Sequence, residues 1–241
     1  MRGLKKIRRK IFVQAAVAMC ATFLVAVCAA SPRQLAGQQK QSPCPNALQE
    51  ISPAEDLMRE HGVLKRILLI YGEAIRRINA GEELQPTAVA DAAGIIRSFI
   101  EDYHERLEEE HLFPRFLKAG KLVDLVGVLI AQHRAGRKLT DIALKLSDAR
   151  AMKAPQDRRA LAQALDQFIR MYGPHEARED TVLFPALRTI VTAEEYEQMG
   201  DAFEDKEHAL FGENGFERIV GRVVEIEKRL GIYDLSQFTP R

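Results

Sequence analysis

A histidine followed four residues later by a glutamate is a two-pronged grip for a metal ion, and this chain carries that grip twice in matching surroundings. One copy is His104-Glu105-Arg106-Leu107-Glu108-Glu109 and the other His175-Glu176-Ala177-Arg178-Glu179-Asp180; each runs on to a Leu-Phe-Pro triplet ending at Pro114 or Pro185. On a helix, residues four apart share a face, so His104 pairs with Glu108 and His175 with Glu179. A lone histidine precedes each copy at nearly the same distance, His61 by 43 residues and His133 by 42. The repeat reads as a duplicated helical hairpin, in which each half offers one His from its first helix and a His with a Glu from its second.

Imidazole nitrogens mixed with carboxylate oxygens suit borderline first-row metals such as iron or manganese better than soft thiolate or all-oxygen sets would. Four His and two Glu buried in a bundle would be costly without a cation, since such groups need partners away from water. If each Glu bridges two ions and a solvent-derived oxygen joins them, each ion has about two nitrogens and three oxygens, with roughly one octahedral position left over. That position implies chemistry with dioxygen, peroxide, nitric oxide or azide.

Four long helical runs are needed to hold this set. Ser52-Pro53-Ala54-Glu55 is a helix start, with a cap, a proline at the first helical position and a glutamate three residues after the cap. From there apolar residues recur at helical spacing to Asn79, and Gly81 closes the run. The pattern predicts further helices over 87–118, 121–150 and 155–189, with Gly120 as a stop and the Leu-Phe-Pro prolines bending or ending their ladders. No segment alternates like a strand, and the connections are short. The expected fold is all-α: an up-down-up-down four-helix bundle over 53–189, followed by a C-terminal extension over 190–241 with two more helices. The first of these opens on the capping box Thr192-Ala193-Glu194-Glu195; the second spans about 216–230, and no clear element follows Gly231.

Other candidates weigh less. Glu105 and Glu176 sit about 100° around the helix from the primary ligands, which favours a solvated or supporting role. His111 faces the same way as His104, but Val182 replaces it in the second copy, which argues against a primary ligand. His208 reads as a solvated helix face, and Tyr71, Tyr103 and Tyr172 as core aromatics with hydrogen-bonded hydroxyls. A ferritin-like carboxylate site would need Glu-x-x-His on a second helix as well as at Glu101 and His104, and Tyr172 breaks it before His175. The second His of a His-Glu-x-x-His zinc hydrolase is replaced by Glu in both copies.

The N-terminus reads separately. Residues 1–30 hold six Lys and Arg, no acid and a 20-residue apolar run, which is an export signal. Cleavage after Ala29 or Ala30 is the favoured reading, and a retained membrane anchor or lipid attachment at Cys28 are the rivals. Without that segment 29 basic residues face 34 acidic ones, a charge of −5, and nucleic acid is not an expected partner. Only Cys44 then remains of three cysteines, so no internal disulfide can staple the fold. Residues 31–52, rich in Gln, Pro and Ser, read as a flexible tether. The expected setting is periplasmic or membrane-tethered, outside the cytoplasm.

The paired His-x-x-x-Glu motifs, each with its lone upstream His, resemble the hemerythrin-like, or HHE cation-binding, domain over about residues 53–189. That resemblance implies a non-haem di-iron four-helix bundle in which His61, His104, His133 and His175 ligate two iron ions and Glu108 and Glu179 bridge them, with manganese or zinc less favoured. Oxygen-carrying members have a second histidine four residues after the one in the third helix; here Arg137 stands there. Glu105, Glu176 or water would have to fill that position. The first functional expectation is therefore a protein that binds or senses dioxygen or a related small oxidant. The second is an enzyme that reduces peroxide or nitric oxide, or oxidises ferrous iron. The third is a metal-free helical interaction module. The sequence names no redox partner.

Overall fold

The computed structural model describes residues 51–148 and 150–240. The expected export signal, and all but the end of the expected tether, lie outside the described residues. Among those described there is no strand, and no helix is long and apolar enough to cross a membrane.

Helix α1 (Pro53–Ala80) starts as its sequence dictates: the Ser52 hydroxyl accepts the Glu55 amide at 3.3 Å, Pro53 sets the first turn, and Gly81 closes the end at φ 68°. Helix α2 spans 86–119 and stops at Gly120, also left-handed. Helix α3 (Val123–Leu146) is shorter than the apolar pattern predicts. Asp148 ends that run, because its side chain accepts from the amides of Arg150 and Ala151 at 2.8 and 2.6 Å and folds the chain into a turn. Helix α4 spans 155–187, α5 (Ala193–Phe211) opens on the Thr192–Glu195 capping box, and α6 (Gly215–Leu230) follows a turn in which Asn214 takes φ 57°. The tail holds one element absent from the sequence reading, a short 3₁₀ turn at Leu235–Phe238.

Apolar faces decide the packing. α4 lies against α1 and α3, α2 against α1 and α3, and α5 and α6 against α1. Leu64, Ile67, Tyr71, Phe99, Ile100, Leu129, Leu165 and Phe168 are buried in the resulting core. The outer helix α6 is tied down by a two-pronged Arg66–Glu227 pair at 2.8 and 2.5 Å and by the Arg77 guanidinium donating to the Leu230 carbonyl at 2.7 Å.

The two prolines do not end their helices. Before each the backbone widens into a π turn, Glu108–Leu112 in α2 and Glu179–Leu183 in α4, and the Phe113 and Phe184 amides bond back to the carbonyls of Glu108 and Glu179. A wide turn of this kind takes up the ladder bond that the proline cannot make, so the helix resumes beyond it. A longer π stretch, Ile96–His104, leads into the first histidine of the motif.

Candidate metal centre

The six side chains singled out by spacing converge. Glu179 Oε2 lies 3.3 Å from His61 Nε2 and 3.2 Å from His175 Nε2; Glu108 Oε2 lies 3.4 Å from His133 Nε2 and 3.8 Å from His104 Nε2. Each carboxylate thus stands between imidazoles from two helices. The imidazoles also pair among themselves, with ring centres 4.7 Å apart for His61 and His104 and 5.1 Å apart for His133 and His175. Ligand atoms of His61, His104, Glu108 and Glu179 all fall within 4.8 Å of one another, as do those of His133, His175 and Glu179, so Glu179 belongs to both groups. All six residues are buried.

Each ring is held from behind by a residue on a neighbouring helix. His61 Nδ1 meets Asp180 at 2.7 Å, His104 Nδ1 meets Glu60 at 2.7 Å, His133 Nδ1 meets Glu109 at 3.1 Å and His175 Nδ1 meets the Gln132 amide oxygen at 2.9 Å. A proton on Nδ1 donated to these oxygens leaves the Nε2 lone pair facing inward, the arrangement that supports a metal-bound imidazole. The sequence reading did not single out these four supporters as functional. Glu109 and Asp180 were nonetheless written in the repeat, as the acidic residue after each glutamate, whereas Glu60 and Gln132 announce themselves only by preceding His61 and His133.

The inner atoms fit a cation. His61 Nε2, His133 Nε2 and both carboxylate oxygens of Glu108 and of Glu179 are buried without a hydrogen-bond partner. Such groups each carry a desolvation cost of about 1–3 kcal/mol or more, which positive charge between them would offset. Their electrostatics say the same. Burial, reinforced by Glu179, pushes the Glu108 carboxyl well above its usual range. Glu179 is held well below that range because His175 and His61 outweigh its burial. Burial, aided by the neighbouring His61, drives His104 well below its ordinary value, while His133 falls to about 4 because burial outweighs its bond to Glu109.

Glu105 and Glu176 are buried rather than solvated. Glu105 accepts the Tyr172 hydroxyl at 2.5 Å and pairs with Arg137 at 2.7 Å; Arg137 also reaches Glu109 at 2.8 Å. Glu105, Glu109 and His133 lie close enough for another ion, but the Arg137 guanidinium already supplies positive charge to both carboxylates. Glu176 has exposed Lys65 at 3.9 Å. Of the tyrosines, Tyr172 has its hydroxyl bonded as expected and Tyr71 does not.

The remaining candidates fall outside the cluster. His111 packs edge-on against Phe203 of α5, and His208 is exposed. Glu101 is taken up by Thr140 and Arg97, which removes the ferritin-like alternative's first ligand. The Leu-Phe-Pro triplets supply walls as expected, Phe184 stacking on His61 at 5.5 Å and Phe113 lying 5.4 Å from His133.

Comparison with known proteins agrees with this geometry. The model of the hemerythrin HHE cation-binding domain matches the chain at residues 52–151 and again at 125–225. Uncharacterized proteins of Mycobacterium tuberculosis and Mycobacterium bovis are 48% identical over 232 residues, covering 96% of this chain and 91% of each relative. No solved structure matches the chain.

Proposed function

The chain belongs to the hemerythrin HHE cation-binding family, and from that premise we propose that it holds two iron ions at the His/Glu centre and binds or senses dioxygen or a related small oxidant there. The observation that carries this reading is the placement of Glu108 and Glu179, each between two inward-turned imidazoles. His61 with His104 would hold one ion and His133 with His175 the other, and Glu179, lying in both groups, and Glu108 would be shared between them. Packing of α1 on α2 and α4, and of α3 on α2 and α4, supports an up-down bundle as the frame.

Iron bound there would supply reversible electron transfer to a small ligand. The protein's part is to keep Nε2 deprotonated by having Nδ1–H donate to oxygens of Asp180, Glu60, Glu109 and Gln132, and to exclude water with Phe113 and Phe184. The basic, apolar N-terminus supports export, so the protein would act outside the cytoplasm; cell fractionation with a C-terminal tag tests that part.

Arg137 favours a second reading. Where oxygen carriers are expected to place a further histidine, this guanidinium binds Glu105 and Glu109, so one ion would have fewer nitrogens and more room for chemistry. That describes an enzyme acting on peroxide or nitric oxide, or oxidising ferrous iron. One experiment separates the readings: count the iron in the purified protein and record its visible spectrum under nitrogen, air and azide. Two irons with a spectrum that returns on removing oxygen support binding, and bleaching with turnover of peroxide supports the enzyme. A folded protein that takes up no metal is an interaction module, and the proposal is then wrong.

A further inference from the structure

Between α2 and α3, on the outer side of His133, the surface opens into a cavity of about 380 Å³. Three guanidinium groups, Arg106, Arg134 and Arg137, face one carboxylate, Glu109, around it, and the floor is apolar, with Phe113, Leu117 and Ile130. Glu109 is already neutralised, by Arg137 at 2.8 Å and more loosely by Arg106 at 3.4 Å. Arg134 is exposed and makes no ion pair or side-chain hydrogen bond among the described residues. Counting buried Glu105 behind Arg137, the neighbourhood still holds one more positive charge than negative.

Two of the lining residues also touch the centre's own support. Glu109 accepts from His133 Nδ1 at 3.1 Å, and the Phe113 ring lies 5.4 Å from that imidazole. A guest that engages Arg134 and Arg137 therefore competes directly with Glu109 for Arg137.

We propose that this pocket binds a small carboxylate with a short hydrocarbon tail, and that its occupancy reports to His133. The carboxylate head meets Arg134 and Arg137, whose planar fork matches two oxygens. The tail lies on Phe113, Leu117 and Ile130, and the volume sits at the low end for small-molecule pockets, which limits the guest to a few carbons. Drawing Arg137 toward the guest loosens its hold on Glu109 and so changes the bond from Glu109 to His133. Binding at this pocket does not depend on whether the centre holds iron, so it can succeed or fail separately from the metal reading.

The test uses the purified chain and butyrate at constant ionic strength, with chloride and inorganic phosphate as comparison anions. Calorimetry is expected to show one saturable butyrate site at least tenfold tighter than chloride, weakened at least tenfold by Arg134→Gln. Because the chain has no tryptophan, Leu117→Trp places a single, selectively excitable tryptophan at an exposed lining position, and butyrate is expected to shift its emission. The His133 ring resonances move with butyrate in the unsubstituted protein and stay fixed in Arg134→Gln. Butyrate no tighter than chloride, phosphate tighter than butyrate, or equal butyrate affinity in Arg134→Gln overturns the site. Saturable binding with stationary His133 resonances overturns its link to the centre.

Discussion

Glu60 Oε2 lies 2.7 Å from His104 Nδ1, though 44 residues separate them; at the equivalent place in the second half His175 leans on neutral Gln132 at 2.9 Å. A carboxylate behind an imidazole makes it a stronger donor than an amide does, and such supports are typically worth about 10–100-fold in metal affinity. Glu60→Ala is therefore expected to weaken one of two bound ions by about that factor and leave the other, and Gln132→Glu to tighten its own. Chelator competition on each variant measures this. Equal loss of both ions in Glu60→Ala would show that the support is not local.

Glu108 is a ligand candidate whose oxygens are buried without partners, so in the metal-free protein it is a burden. Glu108→Met is expected to abolish two-metal stoichiometry and to stabilise the metal-free fold by about 1–3 kcal/mol. For a domain of this size that is about 2–4 °C in Tm per kcal/mol. Thermal melts in chelator, beside metal counts, check both halves of the expectation; normal loading in both Glu108→Met and Glu179→Met refutes the ligand assignment.

Gly136 lets Tyr172 reach Glu105. A Cβ there would sit 2.0 Å from the Tyr172 hydroxyl oxygen and 2.8 Å from its ring carbon. Gly136→Ala should thus cost about 1–3 kcal/mol by overpacking. Tyr172→Phe should recover only part of this, because the ring itself remains too close. Chemical denaturation of the single and double variants decides; full recovery would mean that only the hydroxyl clashes.

Stability without metal should fall as pH rises from about 7 to 9. Burial lifts Glu60 to about 8 and Glu176 to about 7; His61, which burial alone would lower, is carried to about 9 by Asp180 and Glu179. All three lie above their ordinary values, so over this range the fold keeps protons that the unfolded chain has released, and each group's contribution is lost as pH passes its folded value. The depressed groups, His133 at about 4 and Glu109 at about 2, act with the opposite sign only below about 6.5. Metal requires deprotonated ligands and the unfolded chain has already released the same protons above about pH 7, so the loaded protein's stability should change little over this range. Melting temperatures at pH 7, 8 and 9 with and without chelator test this, and a metal-free Tm that rises across the range contradicts it.

The His/Glu cluster was legible because duplication wrote it twice: His61 and His133 are unremarkable alone and gain meaning only from their matched spacing. Helix starts were legible too, since Ser52 and Thr192 carry their caps within four residues. Part of what escaped depends on partners distant in sequence. Glu105's angle on an ideal helix left a solvated and a supporting role both open, and only the fold shows that α3 and α4 cover that face with Arg137 and Tyr172. Pro114 and Pro185 were expected to bend or end their ladders, and the widened turns before them, which let the helices run on, have no signal in the apolar pattern. Asp148 ended α3 early through a local side-chain bond that apolar periodicity does not register.

The props behind the four imidazoles run in a closed circuit: α1 steadies the ring on α2, α2 the one on α3, α3 the one on α4, and α4 the one on α1. Rods that each rest on the next, as in a reciprocal roof frame, leave no end member without a support. Emptying the centre removes the load from all four props at once, so amide protons along all four should lose protection together.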